Sequence, residues 1–203
     1  MDRESIIAEK RKLRRQILTI RDQMPEEDRY RESEEIRRRL RGVKEYSMSG
    51  KLLAYANFGS ELFTEGIIED ALADGKEVYL PRVMGEQMRF YRICSVSELV
   101  KGYKGIREPE PSEDKALGFL DGEKAFMLLP GVVFDKKGGR IGYGKGFYDR
   151  FLQKYHEKLT VCGAALGCQI LDQGTVPMEE TDFPLEYLLF AKGCLNFGAS
   201  HTL

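Results

Sequence analysis

The stretch LLPGVVFDKKGGRIGYGKGFYDRFL, Leu128 to Leu152, passes from an apolar run through a glycine-rich, basic turn into a helix. The run begins at Ala125 and reads AFMLLPGVVF through Phe134. It is nearly continuous in apolar residues and predicts a strand buried on both faces, as in a parallel sheet. The helix is expected from about Phe147 to Tyr155. Gly138, Gly139, Gly142, Gly144 and Gly146 remove Cβ atoms where backbone amides must approach a ligand closely. The turn delivers the chain to a helix N-terminus, whose unpaired N–H groups and dipole attract anions. Arg140 and Lys145 add two cations, so the segment reads as a phosphate cradle. It is not a Walker A loop, because Lys145 is followed by Gly146, and it is not the dinucleotide fingerprint, because the glycines of GYGKG alternate. Asp149 falls in the first helical turn and is expected to hold Mg²⁺, which typically takes one or two carboxylates plus phosphate oxygens.

Outward from this stretch the pattern is that of an α/β chain. Before it, LLAYANF (52–58), EVYLPRV (77–83) and MRFYRI (88–93) read as strands. A helix from Thr64 to Asp74, with Thr64 as its cap, makes the first two a βαβ unit. Residues 101–124, rich in Gly, Pro and charge, are expected to form a long functional loop. After the stretch, strands are expected at Thr160–Gly167 and Tyr187–Ala191. The tail beyond Gly193 carries no readable signal. At the front, Ile6, Leu13, Ile17 and Ile20 recur at helical spacing over Arg3–Asp22. Pro25 with Glu26 and Glu27 opens a second helix that carries Ile36 and Leu40 and fades near Gly42. The expected architecture is a single α/β domain over residues 1–203. Its mostly parallel central sheet is flanked by helices, and an N-terminal helical hairpin (1–45) packs on the core.

Composition narrows the function. The net charge of −1 gives no global case for nucleic acid or an anionic membrane, so anion binding must be local. No apolar stretch approaches the ~20 residues needed to span a bilayer, and the charged N-terminus has no signal-peptide core. Cys94, Cys162, Cys168 and Cys194 form no metal or redox motif; free thiols in the cytoplasm are the expectation. With only 2 histidines, His156 and His201, Ser-His-Asp hydrolysis and His-ligated zinc are disfavoured. Chemistry here is expected to run on positioning and charge stabilisation.

The segment resembles the signature of the 5-formyltetrahydrofolate cyclo-ligase family, also called 5,10-methenyltetrahydrofolate synthetases. Its pattern is L-P-G-x-x-F-D, a short gap, then R-[LI]-G-x-G-x-G-[YF]-Y-D. Matches fall at Leu129, Pro130, Gly131, Phe134, Asp135, Arg140, Ile141, Gly142, Gly144, Gly146, Phe147, Tyr148 and Asp149. Further landmarks follow in family order: Lys10, Leu13 and Arg14 as K-x-x-L-R, Glu61 after the first strand, Pro81-Arg82-Val83, Ile106-Arg107-Glu108-Pro109, and Pro177 with Asp182. Two positions depart. Phe147 stands for the more usual Tyr, and Tyr143 stands where some members carry Arg, which removes one phosphate-facing cation.

The resemblance implies an ATP-dependent conversion of 5-formyltetrahydrofolate to 5,10-methenyltetrahydrofolate. It implies that Lys10, Arg14, Arg140, Gly142, Gly144, Lys145, Gly146, Phe147, Tyr148 and Asp149 bind ATP. Arg140, Lys145 and Tyr148 are the implied catalytic groups, Glu61, Tyr148 and Glu108 meet the folate, and Asp149 and Asp182 hold Mg²⁺. Partners are then the two small-molecule substrates, without nucleic acid or membrane, on a monomer or weak homodimer. Two other classes remain open at this point. One is a non-catalytic RNA- or ligand-binding relative on the same fold, which should have lost the catalytic constellation. The other is a different small enzyme using ATP or a sugar phosphate, since fold does not fix function.

Overall fold

In the computed structural model, which describes residues 2–198, the chain opens with helices α1 (Arg3–Asp22), α2 (Glu26–Leu40) and the short α3 (Lys44–Met48). Then follow β1 (Lys51–Leu53), α4 (Glu65–Ala73), β2 (Glu77–Met84), β3 (Gln87–Ile93), β4 (Val100–Lys101) and β5 (Arg107–Glu108). The second half contains β6 (Ala125–Leu129), β7 (Val133–Phe134), β8 (Arg140–Ile141), α5 (Phe147–Tyr155), β9 (Leu159–Ala165), β10 (Tyr187–Phe190) and β11 (Gly193–Asn196).

Seven strands form the central sheet in the order β11-β10-β9-β6-β1-β2-β3. The five inner strands are parallel, and β3 and β11 close the two edges antiparallel. From β1 the chain moves one way to β2 and then crosses back to β6 on the other side of β1. This reversal opens a crevice beyond the carboxyl ends of β1 and β6, the place where open α/β sheets bind ligands.

Side chains alternate across the sheet, as the strand period of two requires. Leu52, Phe126 and Leu128 point to the face covered by α2 and α4, where Ile36, Leu40, Ile67 and Ile68 are buried. Leu53, Met127, Leu129 and Val161 point to the face covered by α5 through Phe151 and Leu152. A smaller cluster of Ile17, Val132, Val133, Ile141 and Val176 seats α1 over the β7–β8 hairpin.

Several expectations change in physical detail. The run 125–134 is not one strand. Pro130 has no N–H for the ladder, so β6 ends at Leu129 and β7 pairs instead with β8. The strand expected over 52–58 leaves the sheet after Leu53 to form the crevice wall. Thr64 occupies the N-cap position of α4 as expected, but its side chain makes no cap hydrogen bond; its hydroxyl donates to the Tyr55 carbonyl (2.6 Å) and accepts from the Asn57 amide (3.1 Å), which pins that departing segment. Ile20 is 51% exposed, off the docked face of α1. That face is instead Lys10, Ile17 and Arg21, all buried, with Arg14 half-buried between them. The two N-terminal helices find their main contacts separately, α1 on β7 and the turn at 167–169, α2 on β10 and α4. The unread α3 precedes β1, and the unread segment after Gly193 adds β11 to the sheet edge.

Candidate active site

A cleft of about 660 Å³ lies at the switch point, and every site residue expected from the sequence lines it. One wall is α1, a second is the segment after β1, a third is the strap 103–108, and the floor is the loop from Arg140 into α5.

The glycine-rich stretch is two devices rather than one. Asp135, 2% exposed, organises the β7–β8 turn. Its Oδ1 accepts from the amides of Lys137 (2.8 Å) and Gly139 (2.7 Å), and its Oδ2 from the Val176 amide (2.7 Å). A Cβ on Gly139 would stand 2.5 Å from Asp135 Oδ2, so this glycine serves the turn. Gly138 packs against the Leu185 carbonyl and Gly139 against Asp135, and neither lines the cleft, contrary to the expectation from sequence. The cradle is 142–146. It ends at Gly146, whose φ of 66° lets the chain turn into α5 with the helix N-terminus facing the cleft.

Arg140 rises from the hairpin into this floor at 6% exposure. Its Nη1 donates to the Pro130 carbonyl (3.2 Å) and its Nη2 to Asp149 Oδ1 (2.6 Å), while its Nε is buried without a partner among the described residues. Arg14 Nε donates to the Gly142 carbonyl (2.7 Å), holding the cradle to α1. Burial, with Arg11 adding repulsion, lowers the Arg14 pKa. Lys145 is exposed at the cradle rim and forms no ion pair among the described residues.

Lys10 sits on the α1 wall, its Nζ donating to Glu179 Oε2 (2.9 Å) and to Asp182 Oδ2. Two groups expected separately, a phosphate cation and a metal acid, thus form one ion pair. Asp182 Oδ2 also accepts from the Glu179 amide (2.7 Å). In each of the two aspartates one oxygen is engaged, Oδ1 of Asp149 and Oδ2 of Asp182. The other takes no hydrogen bond among the described residues. No cluster of three or more His, Cys, Asp or Glu side chains suited to a metal occurs among those residues.

Glu61 is 7% exposed. Its Oε2 accepts from the Phe58 amide (2.9 Å) and its Oε1 from the Tyr143 hydroxyl (2.7 Å). Burial raises its pKa, and the two hydrogen bonds and Arg21 oppose that shift. Burial, then the Glu61 charge, pushes the hydroxyls of Tyr148, Tyr143 and Tyr55 far up, so all three stay protonated donors. Glu108 is 3% exposed; its Oε1 accepts from the Val83 amide (3.3 Å), and Arg82 donates to the Pro109 carbonyl (2.7 Å), so the strap is tied to β2.

Arg21, Tyr55 and Glu179 were not read as site residues from sequence. Arg21 had a usable signal: Lys10, Arg14, Ile17 and Arg21 fall on one helical face at spacings of four, three and four. Tyr55 and Glu179 had none, because tertiary folding alone brings them to the cleft.

Among the described residues no helix is long and apolar enough to cross a membrane. Comparison with known proteins agrees with the geometry. The model of the 5-formyltetrahydrofolate cyclo-ligase family matches residues 6–191. The probable 5-formyltetrahydrofolate cyclo-ligase of Caenorhabditis elegans is 31% identical over 89% of this chain and 92% of its own length. The 5-formyltetrahydrofolate cyclo-ligase of Escherichia coli K12 is 35% identical over 68% of this chain and 76% of its own. The solved structure of Aquifex aeolicus 5,10-methenyltetrahydrofolate synthetase superposes with a TM-score of 0.79 at 31% identity, covering 96% of this chain and 95% of that one. The chain therefore belongs to the 5-formyltetrahydrofolate cyclo-ligase family of enzymes.

Proposed function

We propose that the chain converts 5-formyltetrahydrofolate to 5,10-methenyltetrahydrofolate with ATP as co-substrate, releasing ADP and phosphate. One observation carries the reading. A glycine-rich loop with two cations, ending at a helix N-terminus, shares a single cleft with a buried acid, Glu61, and a protonated tyrosine, Tyr148. The first set suits phosphates. The second suits a pterin, whose N–H edge needs an acceptor, and a formyl oxygen, which needs a donor.

The N5-formyl oxygen attacks the γ-phosphorus, and the bond to the ADP oxygen breaks with its electron pair going to ADP. The formyl carbon becomes an iminium carbon bearing phosphate. The N10 lone pair then attacks that carbon, the C–O bond breaks, phosphate leaves, and N10 gives up its proton as the methenyl bridge closes. The protein has little covalent work in such a sequence; it spreads charge and aligns atoms. Arg140, Lys145, Arg14 and the amides of Gly142, Gly144 and Gly146 meet the phosphates, with the Phe147 ring closing the cradle. Lys10 faces them from α1, oriented by Glu179 and Asp182. Tyr148 donates to the formyl oxygen, Glu61 accepts from the pterin, and Glu108 shapes the folate side. Asp149 and Asp182 would hold Mg²⁺, which would neutralise phosphate charge.

The test is near-ultraviolet absorbance of the methenyl product with 5-formyltetrahydrofolate, ATP and Mg²⁺. The expected result is an ATP-dependent rise that is lost in Lys145→Ala. No rise with ATP still bound would move the assignment to another acceptor, and no ATP binding would leave a non-catalytic relative.

A further inference from the structure

The cradle and the folate-side acid are hydrogen-bonded to each other. Tyr143 is the middle residue of Gly142-Tyr143-Gly144. Its hydroxyl donates to Glu61 Oε1 (2.7 Å) and accepts from Arg21 Nη2 (2.8 Å). Arg21, 3% exposed, spends its Nε on Ser60 Oγ (3.0 Å), next to Glu61, and Ser60 in turn donates to Asp22. The Arg21 guanidinium carbon also stands 5.8 Å from the Tyr143 ring centroid. The remaining guanidinium nitrogen, Nη1, is buried with no hydrogen-bond partner among the described residues. Arg14, two turns earlier on the same helix face, grips the same loop through the Gly142 carbonyl (2.7 Å). Two arginines of α1 therefore hold one loop, one by its backbone and one through Tyr143, and only the second connection continues to Glu61.

Tyr143 is the side chain of 142–146 that reaches across the cleft in this way, although the residue remains 46% exposed. It does not stand in for a phosphate cation. Its polar end faces the opposite wall, where Glu61 has one further lone-pair direction on each oxygen for an incoming donor. A ligand that orders the loop orders Tyr143, and a fixed Tyr143 hydroxyl fixes the Glu61 carboxylate. The hydroxyl contact is thus shared by both subsites, and coupling through such a contact is reciprocal.

We propose that Tyr143, backed by Arg21, is a positioning residue that couples the nucleotide and folate subsites, so that each ligand binds more tightly when the other is present. This rests on the function proposed above. The test is calorimetric titration of 5-formyltetrahydrofolate with and without saturating β,γ-methylene-ATP and Mg²⁺, and the reverse titration, on the wild-type chain, Tyr143→Phe and Arg21→Gln. The wild type should show roughly tenfold mutual tightening, within the usual range for coupled sites. Tyr143→Phe keeps the exposed ring and removes only the hydroxyl. It should bring the coupling to about twofold or less, a larger loss than any change in the nucleotide affinity measured alone. Arg21→Gln should lose part of the coupling, and the double variant should be no worse than Tyr143→Phe, because the two act in series. Three results would overturn the proposal: no mutual tightening in the wild type, full tightening retained in Tyr143→Phe, or an equal loss of nucleotide affinity alone, which marks simple loop damage. If the wild type binds neither ligand, the proposed function falls and this inference with it.

Discussion

Replacing Asp135 by Asn changes one oxygen to an amide and leaves shape almost untouched, which makes it a sharp probe of how the cradle is held. The carboxylate is 2% exposed and accepts three backbone N–H groups, from Lys137, Gly139 and Val176, at 2.7–2.8 Å. Hydrogen bonds to a buried charged group contribute about 1.5–3 kcal/mol each. In the variant Oδ1 can still serve the two turn amides. The new amide nitrogen then faces the Val176 N–H, donor against donor. One charge-assisted bond is lost, and the buried Val176 N–H is left unsatisfied at a further ~1–3 kcal/mol. The destabilisation should be roughly 3–5 kcal/mol, a large share of the 5–15 kcal/mol typical of a domain. Urea denaturation followed by circular dichroism reads it as a fall in midpoint at constant slope. The same hairpin delivers Arg140 to the cleft floor, so turnover in the folded fraction should fall as well. A loss below about 1 kcal/mol would refute the reasoning, because it would mean the turn holds without its buried acceptor.

Three further outcomes follow from the site. Arg140→Lys keeps the charge, but one ammonium cannot span the Pro130 carbonyl and Asp149 as the guanidinium fork does; kcat should fall roughly 10²-fold, and an unchanged kcat by product absorbance would remove Arg140 from catalysis. Burial holds the Glu61 pKa above its ordinary 4.5. The folded state thus keeps that proton more tightly than the unfolded chain, and the associated stability is present below pH 4.5 and lost as pH rises through the raised value. Activity runs the other way. In the proposed function the ionised carboxylate accepts from the pterin, so KM for the folate should climb as pH falls through the raised Glu61 pKa, with KM for ATP little moved; a folate KM flat across that window would count against the assignment. Gly139→Ala sets a methyl 2.5 Å from Asp135 Oδ2 and 2.8 Å from Val176 Cβ; the strain should cost about 1–3 kcal/mol in the same urea experiment, and a neutral result would show that the turn yields freely.

Sequence by itself determined the α/β class, helices α1, α2 and α5, and the glycine-rich loop that leads into α5. Each rests on local physics: apolar periodicity, glycine before a helix, a cation beside unpaired amides. It also determined the family, because the matched positions from Leu129 to Asp149 lie in one unbroken segment. Tertiary structure alone decided how those parts are used. The break at Pro130 could be read as a turn or an edge only once β7 had β8 to pair with. Whether Gly139 faces a ligand or a carboxylate depends on Asp135 and Val176 being brought together from 41 positions apart. Lys10 met Asp182 and Glu179, and Tyr143 met Glu61 and Arg21, across separations that no local pattern records. Short-range order is written in spacing along the chain. Partner choice for a polar side chain is settled by which groups the folded core leaves facing one another away from water, where an unmatched charge or amide is costly.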